Sequence, residues 1–295
     1  MKHKKIAALA GALTVALTMS GCATISGGGG EDPDTDITQR FPDDENSAGY
    51  VKPPEIQIPP DGEEIPEPNV PAVKPLPEPE PPKVKTVSYI SVTADGVAIR
   101  SGAGTGYAKL GSAEKSTLYA CLGEENGWYK TYYKNKTVYI SKKYCVVMGM
   151  EKSGDERVEA VIAECTKCLG VPYVYGAVRL HDGKGNMLKG FSKNAFDCSS
   201  LMQYMFYKGA DKLLQVNTRT QVYQGTTVAK SNLKRGDLMF FTNASRKNNT
   251  GVERIGHVAM YLGDNYILHT ASDYAKIEKI SSTRWGYYIQ SQRML

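Results

Sequence analysis

Fourteen of the 15 prolines in this 295-residue chain lie in one segment, residues 31–82. The same segment holds 14 acidic residues against 3 basic ones and is nearly devoid of aromatic side chains. A composition of this kind cannot bury enough apolar surface to offset the entropy that is lost on ordering. We therefore predict a disordered linker over residues 23–84, stiffened by its prolines, and a folded body confined to the residues after it.

The N-terminus predicts export. Residues 1–5 hold three lysines, and residues 6–19 form an uncharged apolar run that is too short to span a bilayer. The run closes on Met19-Ser-Gly-Cys22, which resembles the lipobox of bacterial lipoproteins, so residues 1–22 are interpreted as a lipoprotein signal. The resemblance implies that Cys22 is acylated and holds the chain to the cell membrane, facing the cell wall or periplasm.

Charge narrows the choice of partner. After residue 82 the chain carries 30 basic and 17 acidic residues. A basic body of this kind can serve nucleic acid, an anionic membrane face or an anionic cell wall. Because the N-terminus predicts export, we expect the anionic cell wall as the partner and no nucleic acid.

Short β-rich runs separated by turn residues occupy residues 85–149, a pattern typical of a small all-β barrel. The segments Asn126-Gly-Trp128 and Tyr139-Ile-Ser141 resemble the bacterial SH3 domain family. The resemblance implies wall binding or support of a neighbouring catalytic domain, and a spacer without a ligand is the alternative. Cys121 and Cys145 lie here, and export would permit a disulfide between them, although Cys145 occupies an expected core position.

Residues 150–295 open with a helical pattern that Asp155 would cap and Gly170 would end. Cys165 and Cys168 lie late in this helix, and their spacing exceeds disulfide range. We expect Cys165 in the core and Cys168 partly exposed. The mature chain has three histidines and no second cysteine pair spaced for a metal, so we expect no metal and no cofactor.

Residues 194–209 set a cysteine at the start of a second predicted helix. Apolar residues recur at helical spacing after Asp197, the expected N-cap, and Gly209 is the expected C-cap. Cys198 then lies in the first turn, where unpaired backbone N–H groups and the helix dipole favour the nucleophilic thiolate. A small buried core residue behind an ordinary cap is the alternative for Cys198.

Residues 257–270 predict a strand, a tight turn and a second strand. A three-residue loop at 263–265 would pair Ala259 with His269 and make His257 and His269 diagonal neighbours on one face. A two-residue loop would separate the two histidines. We predict the first register, and we expect the remaining histidine, His181, to be exposed in a polar loop.

Several segments of the second half, taken together, resemble the NlpC/P60 family of cysteine peptidases and occur in the family's order: Pro172–Gly176, Phe196–Leu201, Arg235–Leu238, Gly256–Gly263 and Leu268-His269. The resemblance implies an α+β fold with a papain-like core, in which N-terminal helices pack on an antiparallel sheet. The chain departs from the family at three positions and by a longer insert over residues 178–195. Tyr175 replaces a common tryptophan, and Ala177 and Ser200 replace common glycines.

The same resemblance assigns roles to individual residues. Cys198 becomes the nucleophile, His257 the general base and His269 the residue that orients it. Tyr173, Asp197 and Ser199 become substrate-binding residues. Amide attack requires these residue types, since it needs a nucleophile, a base and a third group that sets the imidazole tautomer.

Together these expectations describe a lipid-anchored cysteine peptidase that hydrolyses amide bonds in peptidoglycan stem peptides. By resemblance the bond joins the γ-carboxyl of D-glutamate to the diamino acid. Two alternatives remain open at this stage. One is a wall-binding lipoprotein without enzymatic activity, and the other is an amidase or acyltransferase that uses the same three residues.

Overall fold

A computed structural model of the chain describes residues 84–295. The predicted export signal, the predicted lipid site at Cys22 and the linker up to residue 83 lie outside the described residues. No helix within residues 84–295 has both the length and the apolar character needed to cross a membrane.

The described residues form fourteen strands and four α-helices. The first eight strands are β1 (Thr86–Val92), β2 (Val97–Arg100), β3 (Lys109–Ala113), β4 (Leu118–Ala120), β5 (Gly123–Glu125), β6 (Trp128–Tyr133), β7 (Lys136–Ser141) and β8 (Cys145–Glu151). The helices are α1 (Glu156–Lys167), α2 (Cys198–Ala210), α3 (Thr218–Gln221) and α4 (Ser282–Gly286). The later strands are β9 (Thr226–Val228), β10 (Leu238–Phe241), β11 (His257–Gly263), β12 (Tyr266–Ala271), β13 (Tyr274–Lys279) and β14 (Tyr288–Arg293).

Strands β1–β8 build the small all-β unit that the sequence predicts. β6 and β7 form a hairpin whose turn residues, Lys134 and Asn135, both have positive φ, at 50° and 60°. Alternate residues of β7, Val138 and Ile140, are fully buried, as expected for a strand with one core face. Cys121 and Cys145 both carry free, partly buried thiols. Strand β8, which was not predicted, pairs with β1 along its whole length.

The second half is α+β, with α1 packed against α2 and α2 packed against strands β11 and β12 of an antiparallel sheet. The predicted N-cap of α1 is confirmed, because the Asp155 side chain accepts from the Arg157 N–H at 2.9 Å. The predicted C-cap of α2 is wrong. The C-cap lies two residues later, at Asp211 with φ of +51°. Gly209 instead lets the two helices approach closely, since a Cβ there would lie 2.4 Å from the Val161 Cα.

A single sheet of nine strands joins the two halves, in the order β8-β1-β4-β13-β12-β11-β10-β14-β9. The junction is the pairing of Leu118 in β4 with Ile277 in β13. Beside it, the buried guanidinium of Arg235 donates to the Tyr89 hydroxyl at 2.8 Å and forms an ion pair with Glu159 at 2.7 Å. Arg235 thus ties the first strand to the first helix, a structural role for part of the Arg235–Leu238 motif.

The β6–β7 turn also caps the C-terminal end of α1. The backbone N–H groups of Lys134 and Asn135 donate to the carbonyls of Leu169 and Lys167 at 2.7 and 2.8 Å. These bonds satisfy carbonyls that a helix end leaves without an intrahelical partner. Cys168 lies beneath the turn and is fully buried, so the expectation that its thiol is partly exposed is wrong. The prediction treated α1 as an isolated amphipathic helix and did not foresee the contact from the barrel.

Candidate active site

Cys198 lies in the first turn of α2, and a capping box sets the start of that helix. Asp197 Oδ1 accepts from the Ser200 N–H at 2.8 Å, and the Asp197 N–H donates to Ser200 Oγ at 2.9 Å. The predicted N-cap is therefore confirmed, and Ser200 supplies the reciprocal bond. Cys198 is 7% exposed and lines a cleft of about 490 Å³.

Burial raises the pKa of the Cys198 thiol to about 12, and the nearby Asp197 carboxylate adds to the rise. The backbone N–H groups of Val258, Ser199 and Cys198 itself act in the opposite direction. The expected effect of the helix start is thus present, but desolvation outweighs it. At neutral pH the resting group is the thiol, so a base must remove its proton before the sulfur can attack.

The β11–β12 hairpin brings His257 and His269 together. Met260 pairs with Leu268, a register that sets Ala259 opposite His269, as predicted. The loop reaches this register by a different route. Asp264 and Asn265 form a two-residue turn with positive φ, at 49° and 65°, and a bulge between residues 261 and 263 absorbs the extra residue. The bulge is the reason that a two-residue turn does not separate the histidines.

The two imidazoles are in direct contact, with His257 Nε2 3.0 Å from His269 Nδ1. Burial lowers the pKa of His257 well below its usual value, and His269 and Arg284 lower it further. Burial also lowers the pKa of His269, although the carboxylate of Glu278 acts against that effect. Both rings are consequently neutral at pH 7, the form in which an imidazole can accept a proton.

Glu278 extends this contact into a chain of three side chains. Its Oε1 lies 3.0 Å from His269 Nε2 and accepts from Arg284 Nη2 at 3.0 Å. Burial alone would raise the pKa of Glu278, but the His269 hydrogen bond, Arg284 and Lys276 outweigh it and bring the pKa to about 2. Glu278 is therefore a carboxylate at all working pH values, and it can only accept from His269.

Glu278 was not predicted as a site residue, because the predicted hairpin ended with its second strand. Lys276 pairs with His269 and Glu278 pairs with Ile267, so Glu278 is a diagonal neighbour of His269 on the same face of the sheet. The alternation of residues 274–279 carried this signal. A third strand read in register from His269 would have placed a carboxylate beside the imidazole.

Tyr173 lies on the wall between two adjoining cavities. One is lined by Cys198 and the other by His257, and both are also lined by Gly256. A backbone bridge between Tyr173 and Phe196 holds the tyrosine near the start of α2. Burial raises the pKa of Tyr173 to about 12, and negative charge on Cys198 or Asp197 makes a smaller contribution in the same direction. The Tyr173 hydroxyl is therefore a hydrogen-bond donor at neutral pH.

Asp197 and Ser199 contact a cation of the protein itself. Arg179 Nη2 lies 2.9 Å from Asp197 Oδ2 and 3.3 Å from Ser199 Oγ. The Ser199 hydroxyl in turn donates to Asp197 Oδ1 at 2.9 Å. Both carboxylate oxygens of this residue are therefore engaged within the protein, and Arg179 is a cleft residue that the sequence analysis did not single out.

His181 belongs to the insert over residues 178–195, and the expectation that it is exposed is wrong. Its side chain is fully buried. The Nδ1 atom accepts from the Gly183 N–H at 3.0 Å, and the ring lies 5.4 Å from the ring of Tyr207 on α2. The insert folds back onto α2 instead of extending into solvent, which a polar composition alone did not indicate.

Segments in both halves of the chain match the models of known families. Residues 170–294 match the model of the NlpC/P60 family, and residues 95–145 match the model of the bacterial SH3 domain. Peptidoglycan endopeptidase RipA of Mycolicibacterium smegmatis is 31% identical over 139 residues, which cover 46% of this chain and 26% of the relative. The gamma-D-glutamyl-L-lysine dipeptidyl-peptidase of Bacillus subtilis is 26% identical over 171 residues, covering 58% of this chain and 50% of the relative.

A crystal structure of an NlpC/P60 family protein from Bacillus cereus is 22% identical and superposes with a TM-score of 0.38. The match covers 71% of this chain and 64% of that one. The present chain spans about a quarter to a half of the length of the curated relatives that it matches.

Proposed function

Because the chain carries an NlpC/P60 domain over residues 170–294 and a bacterial SH3 domain over residues 95–145, we propose that it is a cell-wall cysteine peptidase acting on peptidoglycan stem peptides. The observation that carries the proposal is the chain of contacts from Glu278 through His269 to His257, beside a helix start that bears Cys198. Amide hydrolysis needs this combination of a nucleophile, a base and an orienting group.

The tautomer of each ring follows from the carboxylate. Glu278 accepts a hydrogen bond from the His269 Nε2–H, so His269 Nδ1 carries a lone pair and accepts a hydrogen bond from His257 Nε2–H. His257 Nδ1 is then left unprotonated. In the proposed mechanism this nitrogen takes the proton of the Cys198 thiol, and Glu278 is a positioning residue that acts through His269.

The reaction then proceeds in two stages. The Cys198 sulfur attacks the scissile carbonyl, and the Cys198 backbone N–H is a donor for the oxyanion. As the C–N bond breaks, the His257 imidazolium returns its proton to the leaving amine, and an acyl-thioester remains on Cys198. Water then attacks the thioester with His257 as base, releasing the acid and restoring the thiol.

We propose the γ-D-glutamyl bond to the diamino acid as the bond that is cleaved. The resemblance of the sequence supports this assignment, and the B. subtilis relative is named for activity on a gamma-D-glutamyl-L-lysine bond. The basic body would concentrate the enzyme on an anionic wall. We further propose that lipid on Cys22 holds the protein to the membrane and that the linker carries it toward its substrate.

The proposal is tested with a protein that starts at residue 22 and carries Cys22→Ser, so that no lipid is added. This protein and its Cys198→Ala variant are incubated with purified peptidoglycan, and the released fragments are identified by mass spectrometry. We expect fragments that end in D-glutamate with the first protein and none with the variant. If both proteins sediment with the wall and neither releases fragments, the protein is a binding protein and not a peptidase.

A further inference from the structure

The cleft beside Cys198 carries an excess of positive charge. Among its lining residues in the described part of the chain, Asp197 is the sole carboxylate, whereas Arg179, Arg219 and Arg246 are all cationic. Arg219 and Arg246 share the carboxylate of Glu253, at 3.3 and 3.2 Å. The acid that could attract a cationic substrate group is therefore Asp197.

That acid is already neutralised. Arg179 Nη2 lies against Asp197 Oδ2 and Ser199 Oγ, so the protein itself supplies the cation that pairs with this acid. The remaining oxygen, Oδ1, accepts from the Ser200 N–H and the Ser199 hydroxyl. Asp197 is 4% exposed, so little of it is open to solvent or ligand. An incoming ammonium would find both oxygens of Asp197 already bonded within the protein, and a like charge next to them.

Arg179 is held firmly in this place. Its Nε donates to the Val216 carbonyl, and its Nη1 donates to the Ala177 carbonyl at 2.9 Å. Together with the two bonds from Nη2, four of the five guanidinium N–H groups are engaged by described residues. The fifth, on Nη1, has no acceptor among the described residues and is left for a carbonyl or carboxylate oxygen of a ligand in the cleft.

We propose that Arg179 selects stem peptides whose amino terminus is acylated, as it is when the peptide is still joined to the glycan through an amide. Such a peptide offers a neutral carbonyl where a released peptide offers an ammonium. Arg179 is then a specificity-determining residue supplied by the first residues of the insert. The inference rests on the proposed function, since it concerns the substrate of the same Cys198 site.

The test compares two substrates that differ only at the amino terminus. L-Alanyl-γ-D-glutamyl-L-lysine and its N-acetyl derivative are prepared, each also with meso-diaminopimelate as the third residue. We expect kcat/KM for the acetylated peptide to exceed that for the free amine by at least about tenfold, since like charges in a binding site repel strongly. Equal rates, or preference for the free amine, would overturn the inference and leave the proposed function standing.

A pair of variants assigns the preference to Arg179. Arg179→Gln removes the charge and frees Asp197 Oδ2 for an ammonium, so the ratio of the two kcat/KM values should fall by about tenfold. Arg157→Met is the control, because Arg157 is an exposed arginine at the start of α1, and its ratio should stay that of the unmodified protein. A ratio unchanged by Arg179→Gln would overturn the role of Arg179.

The comparison of the two peptides needs no variant, so the inference stays testable even if Arg179→Gln fails to fold. Purified peptidoglycan is assayed in parallel. If neither the peptides nor the wall is cleaved, the proposed function itself fails. Cleavage of the wall together with preference for the free amine removes only the inference about Arg179.

Discussion

Cys198 and Cys168 lie on two helices that pack together, and burial raises the pKa of both thiols to about 12. Their surroundings differ in polarity. Cys198 receives backbone N–H donors, including that of Val258, which favour negative charge on sulfur. The Cys168 sulfur is the donor, with acceptors at Asn135 Oδ1, 3.6 Å away, and the Glu164 carbonyl, 3.8 Å away. The two thiols are therefore similarly buried, but the surroundings of Cys198 favour a thiolate and those of Cys168 favour a thiol.

The comparison separates two requirements for a reactive thiol. The resting pKa does not distinguish these cysteines, because desolvation dominates in both places. What distinguishes them is a cleft, donors for an anion and a base that can take the proton. Cys198 has all three features in its neighbourhood, whereas Cys168 lies at the C-terminal end of its helix, where the dipole disfavours an anion.

The largest expected effect comes from replacing each cysteine by alanine, which removes the thiol. Cys198→Ala should lower kcat/KM on stem peptides by about 10⁴-fold or more, since it removes the nucleophile. Cys168→Ala should leave activity within about twofold and lower the unfolding free energy by roughly 1–2 kcal/mol, through lost packing and hydrogen bonds. Steady-state kinetics and denaturant unfolding measure both effects. A large loss of activity in the folded Cys168→Ala variant would break the comparison.

The second prediction compares two carboxylates, Glu278 in the active site and Glu164 beside Cys168. Glu278→Gln should lower kcat by roughly 10²-fold with little change in KM, because the amide can donate as well as accept and no longer holds His269 in one tautomer. The acidic limb of the pH profile should move to lower pH, since the loss of the carboxylate's charge lowers the pKa of His269 further. Glu164→Gln, on the Cys168 side, is the matched control, and an equal kinetic effect there would refute the positioning role.

The third prediction is that acid lowers the unfolding free energy of the protein through the buried histidines near Cys198. Burial holds the pKa values of His257 and His269 below 6.5 in the folded protein, so below that pH the unfolded chain binds more protons. Stability is therefore complete above the ordinary histidine pKa and is lost as the pH falls through it. The cost is about 1.4 kcal/mol per pH unit for each ring that stays neutral.

Thermal unfolding between about pH 7 and pH 5 measures this loss. His181 contributes in the same direction, because burial lowers its pKa as well. His269→Asn removes one titrating ring and should flatten the dependence of melting temperature on pH. An equally steep dependence in this variant would show that His269 is not one of the groups responsible.

The parts of this site that were predictable depend on neighbours in the sequence. Asp197 and Cys198 are adjacent, so capping rules place the thiol in the first turn. His257 and His269 belong to one hairpin, so the alternation of residues along the strands fixes which of them share a face. In both cases the determining contacts lie within a few residues of the motif.

The parts that were wrong or missed depend on contacts between distant segments. Cys168 is buried by a turn of the barrel, and His181 is buried because the insert folds onto α2. Glu278 reaches His269 from a strand that the sequence analysis did not assign. Neither helical periodicity nor local polarity reports which surface a later or earlier element will cover.

The smallest expected effect tests how the barrel covers Cys168. Asn135 has a φ of +60°, so Asn135→Gly removes its side chain without adding backbone strain. The variant loses the bond to Cys168 Sγ and the bond from Asn135 Nδ2 to the Lys193 carbonyl, 3.0 Å long. A loss of about 1 kcal/mol in local stability corresponds to roughly a fivefold larger open population, so alkylation of Cys168 should accelerate about fivefold.

Mass spectrometry of peptides after timed alkylation follows both thiols in one experiment. Lys134→Gly is the control, because residue 134 has the same left-handed backbone and its ammonium lies over the Tyr133 ring, 5.2 Å from the ring centroid. Alkylation of Cys198 should be unchanged in both variants, since the hydrogen bonds lost in Asn135→Gly end on Cys168 and Lys193. Acceleration at Cys198 equal to that at Cys168 would mean that the two thiols open in one common motion, and that the barrel governs access to the active site as well.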